Sequence, residues 1–90
     1  MTPLETASEI IGRDIAWVKR DDRPDGTRYF LISFDGIGYR SYHPRELRNL
    51  DTFRQLFNVP DATPQQKRTF LESLHRHCDT LETPNAVPVE

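Results

Sequence analysis

Chemistry in this chain would have to come from few residues. His75, His77 and Cys78 are the one cluster of metal-ligand types. On a helix, positions two apart diverge, which leaves only His75 and Cys78 as neighbours, and a zinc site needs three or four converging ligands. His43 would have to fold over to help. The spacing therefore predicts Cys78 as a buried member of an apolar stripe and both histidines as solvated side chains, with no metal and no cofactor. There is no Gly-x-Ser-x-Gly elbow, no Walker loop and no activated Cys–His pair, so no residue is assigned a catalytic role and a non-enzymatic protein is expected. Asp35-Gly-Ile-Gly38 has the glycines of a phosphate loop. It sits between two extended segments and opens no helix, however, so it reads as a hairpin turn.

What remains is a surface that binds. Tyr39, Arg40, Tyr42, His43, Arg45 and Arg48 interleave aromatic and basic groups over ten residues, the composition that stacks bases and holds phosphates of single-stranded nucleic acid. Tyr39 and Tyr42 are three apart, so on an ideal strand they point to opposite faces and one of them belongs to the core. Lys67 and Arg68, with Arg76, offer a second basic face. The net charge of −2 is unevenly laid out: residues 37–78 carry seven basic against four acidic groups, while residues 1–12 and 79–90 carry −2 and −3. Ten of the twelve basic residues are arginine, whose planar fork suits phosphate, carboxylate and aromatic partners. A pI of about 5.9 nevertheless excludes the strongly basic footprint of a dedicated duplex binder.

The elements that must position these groups belong to one small domain, since 90 residues cannot fill two cores. A hydrophobic share of 36% and a mean hydropathy of −0.71 make that core thin. One cysteine excludes an internal disulfide. No apolar run approaches the ~18–20 residues of a membrane span. Met1-Thr-Pro-Leu-Glu5 lacks the basic start of a signal peptide, and a cytoplasmic protein is expected.

Thr2, Pro3 and Gly12 bracket a short helix with Leu4, Ala7, Ile10 and Ile11 on its apolar face. Residues 14–21 alternate, with Ile15, Trp17 and Lys19 on one side and Ala16, Val18 and Arg20 on the other. Asp22-Arg-Pro-Asp-Gly26 is a turn signature. Thr27–Phe34 is the densest β-forming run, and Ile37–Tyr42 pairs back on it, completing a meander. Pro44 opens a single helical turn over residues 43–49. Asp51 caps a helix bearing Phe53, Leu56 and Phe57 on one face. Thr63-Pro-Gln-Gln66 is a capping box that starts a helix to about Leu81, striped by Phe70, Leu71, Leu74, Cys78 and Leu81.

Arg28–Gly36, Ser41–Leu47, Phe53–Phe57 and Thr63–Leu74, taken together, resemble a small accessory domain of primase and helicase polypeptides of phages and mobile elements. The likeness covers roughly residues 27–82, and it implies nucleic-acid handling in trans, since no ATPase or polymerase segment accompanies it. In size and style the chain is also similar to phage-encoded inhibitors of bacterial defence, anti-CRISPR proteins among them, which block a host protein's surface.

The expected fold is α+β: a three-stranded antiparallel meander packed against a long C-terminal helix, with short N-terminal and middle helices. Residues 1–82 form the domain and residues 83–90 a disordered tail. The expected core is Ile15 or Val18, with Trp17, Phe30, Ile32, Phe34, Leu47, Phe53, Phe57, Phe70, Leu71, Leu74 and Cys78. So small a core would gain from a second chain on the sheet, which makes a homodimer plausible. Two function classes follow: a nucleic-acid-binding accessory protein acting on single strands, or an inhibitor or adaptor that acts by covering a host or phage protein.

Overall fold

The computed structural model describes the backbone of residues 1–86 and the side chains of residues 1–81. Helix α1 (Pro3–Ile11) starts where Thr2 and Glu5 exchange side-chain and backbone hydrogen bonds in a capping box. It ends at Gly12, which adopts φ +68°, a conformation that costs glycine little. Strands β1 (Trp17–Asp22), β2 (Arg28–Ser33) and β3 (Arg40–Tyr42) form the expected antiparallel meander, with β2 in the centre. In the first turn the Thr27 amide donates to the Asp25 carboxylate and Gly26 takes φ +89°. In the second, the Asp35 carboxylate accepts from the amides of Ile37 and Gly38 at 2.8 and 2.9 Å. The amides of the Asp35-Gly-Ile-Gly38 loop are thereby turned toward its own aspartate.

Helix α2 (Pro44–Arg48) is capped by His43, whose Nδ1 accepts from the Arg45 amide. Helix α3 (Leu50–Phe57) begins two residues earlier than the sequence suggests. Asn49, not Asp51, is its cap, because the Asn49 side-chain carbonyl reaches the Thr52 amide at 3.0 Å, and Asp51 falls in the first turn. Helix α4 (Pro64–Ala86) opens with the expected Thr63–Gln66 box. It runs past Leu81, so Thr83 to Ala86, expected in a tail, have helical backbone; Pro84 removes only one of the i→i−4 bonds that carry the helix. The rest of that expected tail, residues 87–90, lies outside the described residues.

Strand pairing fixes the two faces of the sheet. Val18 pairs with Ile32, Arg20 with Phe30 and Phe30 with Tyr42, so these side chains share one face. Helix α4 covers it: His75 meets the Phe30 ring edge-on at 4.9 Å, and Arg20 reaches Asp79 at 2.7 Å. Behind this face lie Leu47, Phe53, Phe70, Leu74 and Cys78, closed on one side by Ala7 and Ile11 of α1. Both Ile15 and Val18 are buried. Ile15 escapes the expected alternation because β1 begins only at Trp17. Its amide is held by the Ser8 hydroxyl at 3.0 Å, which turns it under the sheet beside α1. Trp17 is consequently not a core residue. Phe34, Phe57 and Leu71 pack against the core but remain half-buried. Ala7, Ile11, Tyr42 and Ala62 complete it.

Candidate functional site

The second face of the sheet carries Trp17, Lys19 and Asp21 from β1, Tyr29, Leu31 and Ser33 from β2, and Ser41 from β3. Ser33, opposite Trp17, is fully buried; the other residues are outside the core, and Trp17, Tyr29 and Leu31 are not among the half-buried apolar residues packed against it. This outer face is therefore a shelf of rings and cations with its floor on β2.

Two ring pairs mark its ends. Trp17 lies 5.7 Å from Tyr39 at an interplanar angle of 51°, and the indole N–H donates to the Gly36 carbonyl at 3.3 Å. Tyr29 and His43 meet edge-on at 5.2 Å. The pairs are four residues apart in register, or about 13 Å at ~3.3 Å per residue, with Leu31 between them. Each aromatic patch has its own cation: Lys19 Nζ is 5.1 Å from the Trp17 ring and the Arg23 guanidinium is 3.9 Å from that of Tyr29. Arg23 also pairs with Asp21 at 2.6 Å. Lys19 forms no ion pair among the described residues. His43 is fixed at the far end by its role as the α2 cap, its amide donating to Glu46 at 2.9 Å.

The residues singled out from the sequence are dispersed. Tyr39 is 61% exposed and joins the shelf through Trp17. His43 joins it through Tyr29. Arg45 and Arg48 are exposed on α2 and make no ion pair among the described residues, with Arg45 following directly on the His43 cap. Tyr42 is not a surface residue: it is 3% exposed and packs 5.3 Å from Phe57, because Tyr42 shares the covered face with Phe30. Arg40 lies on that same covered side, at the free β3 corner, with its guanidinium 5.3 Å from the Tyr42 ring. Lys67 and Arg68 stand apart on α4. Lys67 Nζ donates to the Arg48 carbonyl at 2.7 Å, and Arg68 to the Gln65 side chain at 2.9 Å, so both are engaged locally.

The shelf residues absent from that expectation are Trp17, Lys19, Arg23, Tyr29 and Leu31. Their alternation along β1 and β2 is visible in the sequence. Which side α4 covers is not, since the β2 run is apolar on both. Among the described residues no three His, Cys, Asp or Glu side chains are placed to hold a metal ion; Cys78 is buried and His75 meets Phe30 edge-on. Among the described residues no helix is long and apolar enough to cross a membrane. Comparison of the chain with protein-family models, curated proteins and solved structures finds no match, so the properties of the shelf stand on its geometry alone.

Proposed function

We propose that this is a non-enzymatic accessory protein that binds single-stranded nucleic acid on the open face of its sheet. The observation that carries the reading is the pair of aromatic stations about 13 Å apart, half-buried except for the exposed Tyr39, each with a cation against it, on the sheet face turned away from α4. Bases stack on such rings irrespective of sequence. Lys19, Arg45 and Arg48 are the cations available to phosphates. A shelf of this shape favours splayed bases over a duplex, whose bases are already stacked. The phage or mobile-element replication setting follows from the resemblance described above, and a lone reduced cysteine such as Cys78 accords with the cytoplasm.

Fluorescence anisotropy with a labelled single-stranded oligonucleotide across a salt series tests this. Trp17→Ala or Tyr39→Ala is expected to weaken binding about 5- to 150-fold, the equivalent of ~1–3 kcal/mol for each stacked base. Lys19→Ala should flatten the logarithmic salt slope by about 0.7. A second reading, a partner protein covering the same face, is favoured by Ile37, which is 89% exposed next to this end of the sheet. Absence of single-strand binding at low salt would reject the first reading and leave the second.

A further inference from the structure

A separate cleft of about 600 Å³ opens on the other side of β3, between the end of α1, the β2–β3 loop and the end of α3. Its size is that of a small-molecule site. Ile11, Phe34 and Phe57 supply apolar walls, and two arginines stand at the mouth. The Arg13 guanidinium lies 3.8 Å from the Phe34 ring centroid, and that of Arg40 lies 5.3 Å from the Tyr42 centroid. Stacking fixes a guanidinium plane while leaving its N–H edge able to donate. Neither guanidinium makes an ion pair or a hydrogen bond among the described residues.

Tyr42 lines the same cleft, and its hydroxyl is subject to both cations. Burial pushes the phenol above its ordinary pKa, with Arg40 and Arg13 partly offsetting the rise and the Glu46 carboxylate adding to it, so at neutral pH it is a neutral O–H donor. Among the described residues that line the cleft the one acidic side chain, Asp35, is turned into its own loop by the amides of Ile37 and Gly38. The carbonyl ends of α1 and α3 also reach the cleft, but the amides of Gly12 and Asn58 close them as helix caps. Two positive charges and a phenol donor thus face a space with apolar walls and no competing free carboxylate.

We propose that this cleft binds a small anion, a carboxylate or phosphomonoester, carried on a flat apolar ring, with Arg13, Arg40 and the Tyr42 hydroxyl holding the anionic group. The cleft shares Tyr39 with the Trp17 end of the outer sheet face and lies apart from its Tyr29 end. The test is an amide NMR titration of the intact chain with benzoate, phenyl phosphate and adenosine 5′-monophosphate, with benzyl alcohol as the neutral control. Saturable shifts at Gly12, Gly38 and Asn58 with at least one anion are expected, and none with benzyl alcohol. Stronger response to the adenylate marks a nucleotide site; response confined to benzoate or phenyl phosphate marks a simple aromatic acid or ester. Arg13→Gln and Arg40→Gln should each weaken the anion about tenfold or more, the effect of one charge-assisted hydrogen bond, while Tyr29→Ala, at the far end of the sheet, leaves it unchanged. Equal binding of benzyl alcohol, parent-like affinity in both glutamine variants, or no saturable shift with any of the three anions would overturn the proposal.

Discussion

His75 shows how one side chain couples the sheet to the solvent pH. It meets the Phe30 ring edge-on from α4, and desolvation lowers its pKa, with the cations Arg20 and Arg28 acting in the same direction and Asp79 opposing them. The unfolded chain therefore takes up the proton more readily than the folded one. This contribution to stability is complete above the ordinary histidine value near 6.5 and is lost as pH falls from there toward the lower folded value. Urea midpoints followed by far-UV circular dichroism should decline between about pH 7 and pH 5, and His75→Gln should remove that part of the decline. A separate acid limb, below about pH 4, belongs to Glu5, Asp22, Asp25 and Asp35. Hydrogen bonds from Thr2, Arg28, Thr27 and Ile37 respectively hold those carboxyls low. A midpoint unchanged from pH 7 to pH 5 in the parent protein would contradict the His75 account. Residue types alone suggest the reverse of what happens to Trp17 and Tyr42: the larger, more apolar indole is outside and the phenol is inside. The cause is register, since Val18 and Phe30 set the covered face and Trp17 falls one position off it.

At the scale of elements, caps were the most legible feature of the sequence, because each needs only a few adjacent residues. Thr2–Glu5, Thr63–Gln66 and the glycine after α1 all form as their types require. Asn49 was missed because Asp51, two residues on, is an equally good capping type, and only the α2–α3 bend decides between them. The third strand is shorter than its composition suggests, since the Asp35 turn draws residues 36–38 into its own hydrogen bonds before pairing can start at Arg40. Gly12 isolates the backbone contribution of a cap. At φ +68°, a β-carbon there would meet nothing within 4 Å, so Gly12→Ala should cost about 1–2 kcal/mol through conformation alone. Thermal denaturation should show the loss without any change in the secondary structure of the folded state. A neutral result would mean that the α1 end relaxes out of the left-handed conformation.

For the molecule as a whole, stability concentrates where α3 and α4 bring Phe53, Phe57 and Phe70 together, each pair of ring centroids 5.2 Å apart. Phe53 and Phe70 are fully buried and Phe57 is half-buried, being also part of the arginine-lined cleft. Phe53→Ala should cost about 3–5 kcal/mol. That is a large share of the ~5–15 kcal/mol typical of a domain, so its urea midpoint should fall far below that of Phe57→Ala. Similar midpoints for the two variants would disprove this ranking. The α+β arrangement was legible because periodicity and turn chemistry are local. The sidedness of the sheet was not, because it is decided by α1 and α4, which close on one another across almost the full length of the chain.

Trp17 is the sole tryptophan, and it sits on the outer shelf against Tyr39 and Lys19 instead of in the interior. Its intrinsic emission is therefore a gauge of what covers the sheet and a poor gauge of whether the phenylalanine cluster is intact. Spectra taken without any dye can follow occupancy of the shelf directly, and a melt read at this indole alone will report a smaller change than the loss of structure behind it.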